Sequence, residues 1–165
     1  MKRYCRVFLG KAHSFAEECR HGNFVGVDFS FNQDLTGKFP EDWRDFNKEF
    51  VPILMNSGYT SKVSAGLACG MTWTLCSGLN IGDVVLCPSG HDTYFVGIIS
   101  SAYVYAANEH LPQRRAVKWM DIEISPSQMS EELLRSARSI GTTSMLDPYA
   151  AEIEQLINGL PTPSA

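Results

Sequence analysis

At 165 residues, with 44% hydrophobic and 11% aromatic side chains, the chain has the size and composition of one globular domain that needs no disulfides or metals to hold a core. Its net charge of −4 argues against a protein living on phosphate contacts alone. No stretch reaches the ~20 apolar residues of a membrane span, and the apolar run behind Lys2-Arg3-Tyr4-Cys5-Arg6 is too short for a signal peptide, so a cytoplasmic location is expected.

Residues 3–9 alternate and read as a first strand, ended by Gly10. Ser14 is placed to cap a short helix over 15–20 that stops by Gly22. Residues 24–29 form an apolar run beside Gly26 that fits a buried strand, and 32–40 form a polar loop. Pro40 then opens a helix at Glu41, with acidic residues in its first turn and Trp43, Phe46, Phe50 and Leu54 at helical spacing. Pro52 is expected to kink or shorten this helix, and Gly58 to close it. A second helix is expected over 61–76, ended by Gly78.

From Gly82 the pattern turns to strands: 83–87, a turn over 88–92, a long strand over 93–104 broken near Gly97 or Ser100, and another over 116–124. Ser127 is placed to cap a helix over 128–137, residues 140–145 supply a last short strand, and 148–158 a terminal helix. This order predicts an α+β fold, a curved or barrel-like, mostly antiparallel sheet with helices inserted between its early strands. A domain over 1–145, a C-terminal helix within 146–160 and the start of a linker at 161–165 follow from it.

The charge is uneven. Residues 121–165 hold seven acidic and two basic side chains, whereas 1–120 hold eleven and twelve, so a local basic face is compatible with the acidic total. The five cysteines have no C-x-x-C spacing and no histidine at metal-ligand spacing, which predicts reduced, buried thiols and no metal or cofactor. Asp121-Ile122-Glu123 has the D-x-E spacing of a metal-dependent nuclease, but Ser125 stands where that motif wants a lysine. No nucleophile motif or phosphate-cradling glycine loop occurs. The chain is expected to bind rather than catalyse.

Four constellations could carry binding. Gly66, Gly70 and Trp73 share one helix face, which shapes a slot under a ring or a tight packing patch. Asp28, in an apolar strand beside Ser30, can accept from the amino group of a cytosine, cap a loop or pair with an arginine. Trp43 can stack on a base or complete a core stripe with Phe46 and Phe50. Arg114, Arg115 and Lys118, with Lys62 elsewhere, can hold phosphates or pair with Glu109 and Asp121 on a solvated edge.

Several strings match a known pattern in order: Gly26-Val27-Asp28-Phe29, Ala65-Gly66-Leu67-Ala68-Cys69-Gly70 leading to Trp73, Gly82-Asp83-Val84-Val85-Leu86-Cys87-Pro88, Tyr94-Phe95-Val96-Gly97, and Leu111-Pro112-Gln113-Arg114-Arg115-Ala116-Val117-Lys118-Trp119. Together they resemble the N-terminal domain of modification-dependent restriction endonucleases, of the PUA superfamily and related to EVE and YTH domains. The resemblance spans roughly residues 1–145. It implies a pseudo-barrel that extracts a modified base, most simply a 5-modified cytosine, from double-stranded DNA into an aromatic pocket, with a nuclease domain in the same chain. On that resemblance Asp28, Trp43 and Trp73 would form the pocket. A reader of modified RNA, a protein-interaction domain and an enzyme of unrecognised type remain the alternatives.

Overall fold

A computed structural model describes residues 1–159. The predicted linker at 161–165 lies outside the described residues. Six strands and five α-helices make an α+β fold: β1 (Tyr4–Val7), α1 (Ala16–Gly22), β2 (Phe24–Val27), α2 (Trp43–Asn56), α3 (Lys62–Trp73), β3 (Val84–Pro88), β4 (Tyr94–Tyr105), β5 (Gln113–Ile124), α4 (Glu131–Ala137), β6 (Thr143–Met145) and α5 (Ala150–Ile157). The strands form one mixed sheet in the order β2-β5-β4-β3-β1-β6. Its pairings are antiparallel except β1 with β3. The sheet does not close into a barrel, because β2 and β6 each pair on one side and stand as its edges.

Both faces of the sheet are covered. Successive residues of β3 point to opposite sides, so Val85 and Cys87 join Cys5, Val7, Cys19 and Leu75 on one face. Val84 and Leu86 join Tyr4, Leu133, Ala137, Leu146 and Ile153 on the other. This double burial explains why β3 reads as an unbroken apolar run. A third cluster, with Phe31, Phe46, Phe50 and Leu54 at its centre, lies under the α2–α3 hairpin. The C-terminal helix is tied to β1: Leu146 N–H donates to the Tyr4 carbonyl at 2.7 Å, and the Tyr4 hydroxyl to Glu154 at 2.5 Å.

Several boundaries differ from expectation. β2 stops at Val27, because Phe29 and Ser30 take left-handed φ values of 50° and 65°. The cap of α2 is Asp42, whose carboxylate accepts from Arg44 N–H at 2.8 Å, so Pro40 stays outside the helix, and α2 runs through Pro52 to Asn56. Ser130, not Ser127, caps α4, and α1 carries no side-chain cap. β5 begins at Gln113, three residues earlier than alternation suggested, and pairs with β2 there. The long strand β4 does break, with register shifts between Phe95 and Gly97 and between Ile99 and Tyr103. α3 ends at Trp73 and widens into a π-helical turn over Thr74–Gly78.

Candidate functional site

The chain leaves β1 through Phe8, whose N–H is held by the Thr142 carbonyl at 2.8 Å, and turns sharply at Gly10. Gly10 has φ +84°, and a Cβ there would sit 2.5 Å from the Phe15 ring, so only glycine fits. Ala12 and His13 follow at φ 54° and 59°, a strained pair in the left-handed region. The turn carries His13 back toward Phe8, ring edge to ring face, with centroids 5.4 Å apart.

Two clefts share this Phe8–His13 wall. The larger, about 580 Å³, lies between the turn, the end of β2 and the loop before β5; Lys11, Asp28, Phe29 and Leu111 line it. A Cβ on Gly26 would lie 2.7 Å from the Leu111 carbonyl oxygen, so this side of the cleft is close-packed backbone that a side chain would push apart. The smaller, about 300 Å³, opens toward β4 and the end of α4, where Thr93, Tyr94 and Arg138 line it.

Asp28 is exposed and follows the strand, which corrects the expectation of a semi-buried strand carboxylate. One of its oxygens accepts the Ser30 backbone N–H at 3.0 Å, the loop-capping alternative, and no other described hydrogen bond uses the carboxylate. Ser30 holds that turn and does not line either cleft. Burial, and then the charge of Arg6, lowers the pKa of His13, so the imidazole is neutral at pH 7.

Most of the expected site residues are engaged elsewhere. Trp73 donates its indole N–H to the Pro40 carbonyl at 2.8 Å, and its ring lies against Gly78, where a Cβ would approach it to 2.8 Å. The glycine beneath the ring is therefore Gly78, not Gly66 or Gly70. Gly66 gives its carbonyl to Asn47 at 3.1 Å, and a Cβ on Gly70 would meet nothing within 4 Å. Trp43 is exposed, with the Arg44 guanidinium over its ring at 4.8 Å, and lines none of the clefts described here.

Arg114 and Arg115 are both engaged within the fold, and the Arg114 pair with Glu109 is the one the sequence offered as the alternative to phosphate binding. Arg114 lies 3.6 Å over the Phe24 ring, donates to the Leu111 and His110 carbonyls and pairs with Glu109 at 3.2 Å. Arg115 is buried and donates to the carbonyls of Ser101, Leu75 and Leu79, which locks the π-helical turn. Lys62 and Lys118 are exposed and in no ion pair among the described residues, on the first turn of α3 and on β5 respectively.

Among the described residues no cluster of three or more histidines, cysteines and carboxylates could hold a metal ion, and no helix is long and apolar enough to cross a membrane. All five thiols are buried; desolvation raises Cys5, Cys19 and Cys69 to about 12.

Sequence reasoning missed Phe8, Lys11, His13 and Arg138. The available signal was Arg6, a charged residue in an otherwise apolar strand, followed by a glycine and a histidine.

The chain belongs to the family described as Domain of unknown function (DUF8426), whose model matches residues 6–143. No curated protein matches it.

Proposed function

We propose that this member of the DUF8426 family is a PUA-like, EVE- and YTH-related reader of nucleic acid, which takes one modified base, a 5-modified cytosine, out of double-stranded DNA. It acts as a binding module, the specificity part of a restriction endonuclease whose nuclease lies elsewhere in the protein. The observation that carries this reading is the cleft of about 580 Å³ lined by Phe8, His13 and Asp28. Small-molecule sites run from about 300 to 1,000 Å³, with apolar walls and a few fixed polar groups. Here a ring wall supports stacking, the packing of Gly26 against Leu111 holds the far side of the cleft in place, and Asp28 keeps a free oxygen to accept from a cytosine N4 amino group. Extraction costs a few kcal/mol of lost stacking, which contacts in the cleft must recover.

The test is a gel-shift series on one duplex carrying cytosine, 5-methylcytosine, 5-hydroxymethylcytosine or N6-methyladenine, with single-stranded RNA as competitor. Tighter binding of either 5-modified cytosine, reduced by Asp28→Asn and by Phe8→Ala, is expected. Preference for N6-methyladenine would overturn the cytosine assignment, and preference for RNA would overturn the DNA assignment.

A further inference from the structure

With Arg114 and Arg115 engaged inside the fold, a reader of nucleic acid needs another cation to meet the backbone of its ligand. We propose that the smaller cleft, beyond the Phe8–His13 wall, is a phosphate site, with Arg138 as the contacting cation and Arg6 as its positioning residue. This rests on the preceding reading of the larger cleft.

Arg6 is fully buried, and its guanidinium donates only to uncharged groups: the carbonyls of Ala137 at 3.2 Å, Ser139 at 2.8 Å and Gly141, and the Ser139 hydroxyl. Its Nε has no partner, and no carboxylate lies within ion-pair distance among the described residues. A buried charge without a counter-charge is costly, and its field reaches across low-dielectric surroundings. The field points at the wall between the clefts: the guanidinium carbon sits 3.7 Å from the Phe8 ring centroid, and the same charge adds to the burial that holds down the protonation of His13.

The same hydrogen bonds place Arg138. One nitrogen of Arg6 holds the carbonyls of Ala137 and Ser139, the residues on either side, so the backbone of Arg138 is gripped from both flanks. Its side chain is exposed, lines the smaller cleft beside the Tyr94 phenol and pairs with no carboxylate among the described residues. Thr93 supplies a hydroxyl at the same cleft, and Asp92 is the one carboxylate among its lining residues. An anion there meets one cation directly and a second through the Phe8 wall. The shared wall puts that anion beside the larger cleft, where a phosphate joined to the bound nucleoside belongs.

Calorimetric titration of the whole chain with 5-methyl-2′-deoxycytidine, its 3′- and 5′-monophosphates and inorganic phosphate tests this. One monophosphate should bind at least about fivefold tighter than the nucleoside, with the gain shrinking as salt rises. Arg138→Ala should remove that gain and leave nucleoside affinity unchanged, while Lys118→Ala leaves both unchanged. Inorganic phosphate should compete with the gain alone. Equal binding of nucleoside and both monophosphates, or a gain that survives Arg138→Ala, overturns the phosphate site while the base reading stands. Phosphate binding that needs Arg138 in a protein that ignores every nucleoside overturns the base reading and keeps the anion site. Binding of none of the four overturns both.

Discussion

The α2–α3 hairpin and the turn after β1 both place aromatic rings near glycines and polar groups, yet they do opposite things with them. In the hairpin, Trp73 spends its N–H on Pro40 and its ring on Gly78, and the rings of Phe46 and Phe50 stack at 4.5 Å inside a closed cluster. After β1, Phe8 and His13 stand partly exposed on a strained backbone and divide two clefts. Phe46 and Phe50, one helical turn apart, satisfy one another; Phe8 and His13, thrown out beyond a strand by a glycine turn, keep a side on the clefts. Strain collects in the second place, where left-handed Ala12, His13, Phe29 and Leu111 all border one cleft.

The contrast can be broken most forcefully at Arg115. Arg115→Ala would strand the carbonyls of Leu75, Leu79 and Ser101 in the interior, and a loss of about 3 kcal/mol or more is expected by urea denaturation. A surface phosphate contact would instead leave stability near wild type and lower DNA affinity. Next comes a paired measurement on Phe8→Ala and Trp43→Ala. The first should weaken binding of the preferred duplex by about 1–3 kcal/mol, the stacking of one base, and the second should leave it within error. The reverse order would return the site to the hairpin.

A smaller effect is expected at Trp73. Trp73→Phe keeps a ring against Gly78 but deletes the bond to Pro40, which should cost about 1 kcal/mol in stability and nothing in binding. The smallest effect belongs to His13. Its folded pKa lies below the ordinary 6.5, so as pH falls below that value the unfolded chain takes up a proton that the folded chain refuses. Stability is fully present above about pH 6.5 and declines as the pH drops toward the folded pKa. His13→Gln should flatten that part of the denaturation profile; an unchanged slope would show that the imidazole is not held neutral.

Much of the architecture was legible because it follows from periodicity. The apolar run at Val84–Pro88, the break in Tyr94–Tyr105 and the late helix before β6 are local patterns, and local patterns survive folding. The failure to close into a barrel was not legible, since it depends on which strands find partners at the edges. Arg114 and Arg115 illustrate a signal that was present but only half used: the Arg114 pair with Glu109 was among the alternatives, the burial of Arg115 was not. Neighbours on a strand face opposite sides, so one of the two had to point inward, and Arg115 does. Asp28 illustrates the converse: the apolar run extends past Val27 to Phe29, and only the left-handed backbone of Phe29 and Ser30 ends the strand before it. The pairing of Phe8 with His13 rests on a glycine turn whose direction no spacing rule supplies.

The attachment of the C-terminal helix to β1 has a practical consequence for anyone shortening the chain. The family match stops at residue 143, whereas Leu146 and Ile153 are wholly buried against Tyr4 and Leu133. A fragment trimmed to 6–143 would lose Tyr4 and Cys5 from β1 and all but Thr143 of β6, leave β3 as a raw sheet margin and bare a greasy floor to water. Such a fragment should precipitate or self-associate on expression, and its silence in any DNA assay would speak about that trimming rather than about the clefts.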